Sequence, residues 1–503
     1  MRNGSSVSSR SIVQRIIVRG NLDLDTPTSF GNGEGEDLVD MPLALDPLEG
    51  RALLTGASLA GALRSYLRQR ELGYGKTSFP TTLTDTLFGY QQDDTGEQSL
   101  LIVNDSLADE PSPASSGAAA ANTRRRKRPV VELRDGVAID ASTRTAEDDK
   151  KFDYEALAAG TVFPIEIELL IQEERAPKLR TALAVALEGF ERREIPLGRR
   201  KRRGLGQCHV ATWEVVEYDL CTRDGLLRWL RDDRSQAQSG PSIAALLETS
   251  TAIDRRQRVT LGATFCLDSS LLIRSAPSEP REPDMIQLHS RRGSKSVPVL
   301  SGTSLVGALR GRALRICKTL GSAAWAGQFV DDMFGPRLVA GKKARAAGNA
   351  AGSEPHASVL TAAETEIRQG IELVQSRVKI DRFTGGSYPT ALFSEQPVFG
   401  SAATEVDVKL ELHGPTEAQI GLLLFLLKDL WTSDLPLGGE VSVGRGRLVG
   451  KHATLTRQVD GAVPQTWTLT QQKDRLTVTD GDGKDARAVL EAFAAKFLAE
   501  VKL

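Results

Sequence analysis

The segment Leu54-Thr-Gly-Ala-Ser-Leu-Ala-Gly-Ala-Leu-Arg64 recurs 246 positions later as Leu300-Ser-Gly-Thr-Ser-Leu-Val-Gly-Ala-Leu-Arg310. Further matches follow in the same order at offsets of 240 to 246. They are Phe88-Gly89 and Phe334-Gly335, Ile139-Asp140 and Ile380-Asp381, Glu155 and Glu395, and Leu197-Gly198 and Leu437-Gly438. A collinear series across most of both halves indicates the duplication of one domain.

The composition is that of a globular protein with more than one domain. The 503 residues exceed what one hydrophobic core usually supports, and 40% of them are hydrophobic and 26% charged. No stretch reaches the roughly 18 apolar residues of a membrane span, and the N-terminus lacks the apolar core of a signal peptide. The four cysteines show no CxxC spacing, which is typical of reduced residues. We therefore expect a cytoplasmic protein with no membrane role.

The repeat and a polar linker predict the domain organisation. Residues 234–242 have the Ser, Gln, Gly and Pro composition of a linker. We predict a first domain over 1–235, a linker over 236–254, and a second domain with a C-terminal extension over 255–503. The linker thus separates the two copies of the repeated motifs.

Hydrophobic periodicity predicts the same order of strands and helices in each half. The predicted strands are 12–24, 161–171, 259–267 and 406–412, and the predicted helices are 58–70, 176–191, 304–320 and 417–431. Ser58 and Ser304 are the expected N-cap residues of the motif helices. The fold class is therefore α+β, with two tandem ferredoxin-like, or RRM-like, domains.

The glycine motif that starts each of these helices has two interpretations. Glycines let a backbone come close to a ligand, and the free amides of a helix start attract anions such as an RNA phosphate. Alternatively, the glycines allow a helix to pack closely on a strand. The candidate RNA-binding residues of the two motifs are Gly56, Ser58, Arg64, Gly302, Ser304 and Arg310.

A second glycine-rich element, LGRRKRRGLG at 197–206, is matched by LGGEVSVGRG at 437–446. Such a loop can track a phosphate backbone, and consecutive basic residues strengthen that binding, although a tight turn with a solvated tip has the same pattern. The candidate RNA contacts are Arg199, Arg200, Lys201, Arg202, Arg203 and Arg445. The formal net charge of −1 argues against indiscriminate coating of nucleic acid. A further basic run at 124–128 follows an Ala- and Ser-rich segment, and we expect it to be a solvated loop.

In combination, these motifs resemble those of the RAMP proteins of CRISPR effector complexes. The closest likeness is to the type III backbone subunit, here as a type III-D-like tandem fusion. The segments VKIDRFTGG at 378–386 and ALFSE at 391–395 are similar to the thumb hairpin of that family. The resemblance implies RAMP domains with thumb hairpin insertions, which bind a guide RNA along a row of subunits. It also implies RNA contacts at Lys379 and Arg382 in the thumb. The implied partners are the guide RNA, a complementary target RNA, other RAMP subunits and the large subunit of the complex.

The resemblance also implies cleavage of the target RNA. In the family, a loop ahead of the glycine motif carries the aspartate that promotes cleavage, and VDMPLALDPL at 39–48 resembles that loop. Asp40 is the matching position, and Asp46 matches a second acidic position. In the second half Asp284 corresponds to Asp40, but Asp46 has no counterpart there and His289 stands nearby instead. The catalytic candidates are therefore Asp40 and Asp284.

An aspartate suits this chemistry because RNA carries its own nucleophile, the 2′-hydroxyl. The carboxylate could act as a base or hold a divalent metal, with Mg²⁺ expected and Mn²⁺ as the alternative; no ligand pattern identifies the metal site. A loop aspartate can equally serve in turn formation. Two further functions stay open: a purely structural scaffold, and a guide-processing nuclease with a histidine base. The five histidines form no repeated constellation, which disfavours the latter.

Overall fold

The computed structural model describes most of both repeats. The described residues are 11–33, 39–76, 82–92, 94–109, 130–140, 143, 145–277, 281–293, 295–336, 356–473 and 475–503. The basic run at 124–128 lies outside these residues.

The strands of the first repeat are β1 (Gln14–Leu24), β2 (Leu53–Leu54), β3 (Tyr90–Gln92), β4 (Thr95–Glu97), β5 (Leu101–Val103), β6 (Ser106–Leu107), β7 (Val131–Ile139), β8 (Ala146–Leu157), β9 (Val162–Ile171), β10 (Cys208–Asp219) and β11 (Gln238–Gly240). Its helices are α1 (Gly56–Leu72), α2 (Leu83–Phe88), α3 (Ala176–Glu191), α4 (Arg223–Leu230) and α5 (Ile243–Leu246).

The main sheet of the first repeat has the order β11-β10-β1-β9-β5, and its pairs are antiparallel. Helix α1 lies between β1 and β5 in the chain, and α3 lies between β9 and β10, so β1, β5, β9 and β10 are the four core strands of a ferredoxin-like fold. Strand β1 buries Ile16 and Val18, whereas Arg19 on the opposite face pairs with Glu166. The predicted fold is confirmed for this repeat.

The strands of the second repeat are β12 (Arg258–Asp268), β13 (Ser270–Leu271), β14 (Arg274–Ser275), β15 (Met285–Gln287), β16 (His289–Arg292), β17 (Lys295–Leu300), β18 (Leu360–Ala362), β19 (Thr365–Arg368), β20 (Ile371–Glu372), β21 (Gln375–Ile380), β22 (Ser387–Gln396), β23 (Val398–Phe399), β24 (Glu405–His413), β25 (Arg447–Gln458), β26 (Gln465–Gln472) and β27 (Arg475–Asp480). Its helices are α6 (Gly302–Leu320), α7 (Ala323–Phe334), α8 (Glu417–Trp431) and α9 (Arg487–Ala499).

The second repeat has the same core, with β12 between β24 and β25 and with β18 and β19 beyond β24. The tail, for which the sequence carried no prediction, extends this sheet with β26 and β27 and adds α9. Helix α9 packs on α8, where the ring of Phe497 lies 5.7 Å from that of Phe425. A Cβ on Gly421 would come within 2.2 Å of the Phe493 carbonyl oxygen, so this glycine permits the close approach of the two helices. The tail is therefore part of the second core.

The starts of the motif helices differ from the prediction. Helices α3 and α8 occupy the predicted residues, but α1 and α6 begin two residues earlier than expected. The N-caps are Thr55 and Ser301, whose hydroxyl groups accept the N–H groups of Ser58 and Ser304. The expectation that Ser58 and Ser304 are the caps was wrong, because a hydroxyl three residues earlier already satisfies their amides.

The chain divides into two compact units whose limits cross the repeats. The first unit comprises the described residues of Met1–Glu132, Glu155–Arg199 and Gly206–Arg256. The second comprises those of Leu133–Tyr154, Arg200–Leu205 and Gln257–Leu503. Most of the β7–β8 hairpin and the tip of the basic loop thus belong to the second unit. The domain limits at 235 and 254 stay a prediction.

No helix among the described residues has both the length and the apolar character that crossing a membrane requires. All four cysteines are free, with Cys208 and Cys317 buried, Cys266 half-buried and Cys221 exposed.

Candidate nucleic-acid interface

Two amides in the first turn of α1 have hydrogen-bond acceptors inside the protein. The Gly56 N–H donates to Asp105 Oδ1 at 2.7 Å, and the Ser58 N–H donates to Thr55 Oγ1 at 3.3 Å. A Cβ on Gly56 would lie 2.1 Å from the Val103 carbonyl oxygen, so only glycine fits. Of the two interpretations of the motif, the structure supports close packing at this helix start.

The start of α6 follows the same plan. The Ser304 N–H donates to Ser301 Oγ at 3.2 Å. A Cβ on Gly302 would lie 2.3 Å from the Arg203 carbonyl oxygen, so the tip of the basic loop packs directly on this glycine. The motif glycine of the second repeat therefore also serves close packing, here against the loop that carries the positive charge.

The arginine that ends each motif binds the Phe-Gly pair of the same repeat. Arg64 Nη2 donates to the Gly89 carbonyl oxygen at 3.1 Å, and Arg310 Nη1 donates to that of Gly335 at 2.6 Å. Arg310 also pairs with Asp331. The shared spacing of 25 residues between the arginine and the glycine is the sequence signal for this contact. Both guanidinium groups, which were predicted to contact RNA, thus have partners within the protein.

The basic loop is a fixed turn with left-handed residues at both ends. Arg200 has a φ of 55° and Gly204 a φ of 85°, and Lys201–Arg203 form a single 3₁₀ turn between them. Glu440 and Gly444 repeat this geometry in the second copy, with φ angles of 57° and 90°. Because the two loops have the same backbone conformation, they differ mainly in their side chains.

The residues of the first loop belong to two units, with Arg199 in the first and Arg200–Leu205 in the second. In the first unit, the Arg199 N–H donates to the Ser29 carbonyl oxygen at 2.9 Å. In the second unit, the Arg200 guanidinium lies over the rings of Phe152 and Tyr154, at 4.5 and 4.6 Å from their centroids. The neighbouring Lys201 is exposed. The Arg200 guanidinium is therefore held against two aromatic rings of the β7–β8 hairpin.

Positive charge is concentrated around Arg203. Its Nη1 is buried and has no hydrogen-bond partner among the described residues, while Nη2 lies 3.5 Å from the Phe334 carbonyl oxygen. Burial and the positive charges of Arg310, Arg202 and Arg200 lower the pKa of Arg203 to about 10. An anion bound here would offset this repulsion, because each of the neighbouring cations would attract the anion.

Arg202 completes this group of cations. Its Nη1 lies 3.2 Å from His413 Nδ1, so the guanidinium faces an imidazole. Arg200, Lys201, Arg202 and Arg203 are the four basic residues that the loop contributes to the second unit. We call these four residues the basic tip.

The prediction for Arg445 in the second loop requires a correction. This residue is only 3% exposed, and its guanidinium pairs with Glu395, donates to Gln375 Oε1 at 2.8 Å and lies 3.2 Å from Glu440. Glu395 is fully buried, and burial raises the pKa of its carboxyl group. Arg445 is thus withdrawn from solvent, because two carboxylates of its own unit surround it.

The hairpin formed by β21 and β22 presents cations and apolar groups to solvent. Lys379 and Arg382 are exposed, and Lys379 Nζ lies 4.7 Å from the centroid of the Tyr388 ring. The tip carries Phe383, which is 93% exposed, and Asp381 Oδ1 accepts the Phe383 N–H at 2.7 Å. An exposed ring beside cations suits stacking on a nucleic-acid base. The RNA contacts predicted for Lys379 and Arg382 stay predictions.

Asp40 is exposed on a bend that strand β8 anchors. The Glu155 N–H donates to the carbonyl oxygen of the next residue, Met41, at 3.1 Å. Asp46 has a different role, because its Oδ2 accepts the backbone N–H groups two and three residues further on, at 3.0 and 2.6 Å. Asp46 is therefore a turn-forming residue, whereas the carboxylate of Asp40 lies at the surface.

Asp284 occupies the equivalent position in the second repeat. The following residue, Met285, pairs in register with Glu395, as Met41 does with Glu155. The Asp284 carboxylate accepts the N–H and the hydroxyl group of Ser394 at 2.7 and 3.1 Å, and these hydrogen bonds lower the pKa of Asp284. The two aspartates are thus exposed at matched positions.

The surroundings of the aspartates offer few additional metal ligands. His289, near Asp284 in the sequence, lies 2.6 Å from Glu372 and 2.8 Å from the Gln287 carbonyl oxygen. No group of three or more His, Cys, Asp or Glu residues that could hold a metal occurs in the described part of the chain. Mg²⁺ is commonly held by one or two carboxylates together with water and substrate phosphates. A single carboxylate fits an ion that binds together with RNA.

A comparison with protein-family models gives one match, to the RAMP superfamily, over residues 21–209 and 264–449. The matched regions include both glycine motifs, both hairpins and both glycine-rich loops. No curated protein matches the chain.

Proposed function

Because the chain belongs to the RAMP superfamily through both repeats, we propose that it is the guide-RNA-binding backbone subunit of a type III CRISPR complex and that it cleaves complementary target RNA. The family supports a CRISPR-associated, RNA-binding role in general. The proposed partners are the guide, the target, other RAMP subunits and the large subunit of the complex. We propose further that one chain cleaves the target at two sites.

The concentration of charge at the basic tip is the observation that carries the RNA-binding role. Arg200, Arg202 and Arg203 converge with Arg310, and the pKa of Arg203 falls to about 10 there. Such mutual repulsion costs free energy, and phosphate groups of an RNA backbone would offset it. The single 3₁₀ turn places the loop cations together on one short segment.

Cleavage would use the 2′-hydroxyl of the target RNA as the nucleophile. Its oxygen attacks the adjacent phosphorus, and the bond from phosphorus to the 5′-oxygen breaks. The 5′-oxygen takes a proton from water, and the products are a 2′,3′-cyclic phosphate and a 5′-hydroxyl. Asp40 and Asp284 would each accept the proton of the 2′-hydroxyl or align it. A bound Mg²⁺ would stabilise the charge on the phosphate, with Asp40 or Asp284 as its protein ligand.

A structural scaffold without nuclease activity is the second candidate. The observation that favours it is the pair of hydrogen bonds from Ser394 to Asp284, which gives that carboxylate a role in joining β22 to the loop before β15. Asp46 likewise serves a turn. In a scaffold without nuclease activity, these acidic side chains would serve only to hold their loops.

Guide binding is tested by replacing Arg199 to Arg203 with alanine in the full chain. Each lost phosphate contact reduces the slope of log K against log salt by about 0.7 on single-stranded RNA. We expect a weaker and less salt-dependent complex. Unchanged affinity and slope would make the loop a surface turn.

Cleavage is tested with the assembled complex, complementary RNA and Mg²⁺. Two products separated by one subunit repeat are expected, of which Asp40→Asn removes one and Asp284→Asn the other, with guide binding retained. Asp482→Asn, a change of an exposed carboxylate in the C-terminal tail, is the matched control. Unchanged cleavage by the double variant would support the scaffold role instead, and loss of both products from either single change would contradict independent sites.

A further inference from the structure

Glu155 contacts the loop that carries Asp40 at two points. Its backbone N–H donates to the Met41 carbonyl oxygen at 3.1 Å, and its carboxylate Oε2 accepts the N–H of Leu43 at 3.1 Å. These two groups lie on either side of Pro42, which has no N–H of its own. Glu155 therefore holds the loop at one and at three residues beyond the aspartate.

The segment that follows these contacts is anchored in the core of the first unit. Leu43 is 4% exposed and belongs to the same hydrophobic core as Phe30. The Ala44 N–H donates to the Phe30 carbonyl oxygen at 2.6 Å. Glu155 is half-buried near the end of β8, and Asp40 is exposed. The Glu155 carboxylate thus binds the loop where it joins the core, on the side of the aspartate.

Few degrees of freedom separate the held carbonyl group of Met41 from Asp40. One planar peptide group and the φ and ψ torsions of Met41 join this carbonyl to the Asp40 Cα. Met41 precedes Pro42, and a residue before proline is restricted to extended conformations. A misplacement of about 1 Å can slow an enzymatic step about 100-fold, so such a restriction matters for catalysis. A loop held at Met41 and Leu43 therefore fixes the backbone position of the aspartate.

The second repeat uses the equivalent carboxylate differently. Glu395 is aligned with Glu155, but its side chain is fully buried and pairs with the Arg445 guanidinium. Asp284 is held directly, because its carboxylate accepts the N–H and the hydroxyl group of Ser394. The aligned glutamate thus binds a loop amide in the first repeat and an arginine in the second. A change at Glu155 should therefore act on the first site alone.

We propose that Glu155 is a positioning residue for target cleavage at Asp40. By accepting the Leu43 N–H, its carboxylate fixes the loop so that Asp40 reaches the 2′-hydroxyl group or the Mg²⁺ ion at the scissile phosphate. The negative charge of the acceptor strengthens this hydrogen bond, and the burial of Leu43 makes the bond costly to lose. The inference rests on the proposed function, in which Asp40 is the catalytic residue.

The test measures single-turnover cleavage by the assembled complex with complementary RNA and Mg²⁺, together with hydrogen exchange of peptides that span 41–45. Glu155→Ala removes the acceptor, so the product that depends on Asp40 should form about 100-fold more slowly, with the second product and guide binding retained. The Leu43 amide should exchange at least about tenfold faster. Glu155→Gln keeps an acceptor oxygen and should retain the cleavage rate to within about fivefold. Glu166→Ala, which removes an ion pair with Arg19 from the same unit, is the matched control and should cleave like the wild type.

The outcomes separate this inference from the proposed function. If Asp40→Asn removes its product but Glu155→Ala cleaves like the control, the positioning role fails and the function stands. Equal losses in Glu155→Ala and Glu155→Gln would also overturn the positioning role, because the charge rather than the hydrogen bond would then be required. Loss of both products together with guide binding in Glu155→Ala would overturn it in favour of a general role in folding. Unchanged cleavage by Asp40→Asn contradicts both the inference and the proposed function at this site.

Discussion

Replacing Arg134 with methionine should release the β7–β8 hairpin within the second unit. Arg134 is 3% exposed and donates two hydrogen bonds, at 3.0 and 3.3 Å, to the Glu364 carboxylate, whose side chain is 1% exposed. Methionine keeps most of the side-chain volume and removes the charge. The variant therefore isolates the ion pair from packing.

The expected cost follows from what remains around Glu364. Breaking a buried ion pair by removing one partner typically costs about 3–5 kcal/mol, because the other charge is left buried. Arg292 still donates to Glu364 at 3.0 Å, so we expect a value near the lower end, about 3 kcal/mol. At 1.36 kcal/mol per factor of ten, local opening should become roughly 150-fold more frequent.

Hydrogen exchange measured by mass spectrometry tests this value. Peptides from the hairpin should exchange about 150-fold faster in Arg134→Met than in the wild type, while peptides from β12 keep their protection. Arg292→Met is the matched control, because Arg292 pairs with the same carboxylate from a more exposed position and should cost about 1 kcal/mol. Less than a threefold change in hairpin exchange, or an equal change in both variants, would refute the assignment of Arg134 as the anchor.

Gly302→Ala places a methyl group 2.3 Å from the Arg203 carbonyl oxygen, so urea denaturation should show a free energy of unfolding lower by about 1–3 kcal/mol. Gly327→Ala, whose new methyl group meets no described atom within 4 Å, should be neutral or stabilising, and equal stability of the two variants would contradict the close packing. Arg445→Met should destabilise the second unit by about 3 kcal/mol and leave the salt slope of RNA binding unchanged; a reduced slope would show that this guanidinium reaches RNA. The pKa of Asp284 is lowered from 3.8, so the hydrogen bonds of its carboxylate to Ser394 stabilise the fold above pH 3.8, and this stabilisation is lost as the pH falls through the folded pKa. Exchange of the Ser394 amide, corrected for its intrinsic pH dependence, should therefore become less protected on acidification, and increased protection would contradict this.

The elements that could be predicted from sequence are those with strong local signals. Helix α3 has the predicted bounds because its apolar periodicity and the proline in its first turn both act within the helix. The repeated order of strands and helices predicted the ferredoxin-like core for the same reason. The starts of α1 and α6 were misplaced by two residues because Thr55 and Ser301, rather than the serines inside the motif, provide the caps.

The candidate site depended more on contacts between distant residues. The burial of Arg445 results from Glu395 and Gln375, which are 50 and 70 residues away in the chain, and no local pattern reports their approach. The contact between Arg64 and Gly89 had a signal in its repeated spacing, but spacing alone does not distinguish a structural bond from a ligand contact. The matched positions of Asp40 and Asp284 were predicted, since both precede a methionine in aligned segments.

The assignment of Leu133–Tyr154 and Arg200–Leu205 to the second unit affects how the protein can be divided into separately produced pieces. A fragment that starts at residue 255 would keep Glu364 but lose Arg134, leaving a buried carboxylate with only one of its two arginine partners. It would also expose Gly302 where the Arg203 carbonyl oxygen now covers it. A cut at the linker would therefore separate the sequence repeats but divide a folding unit. We expect the second piece to be insoluble when it is produced alone and soluble when the two pieces are coexpressed.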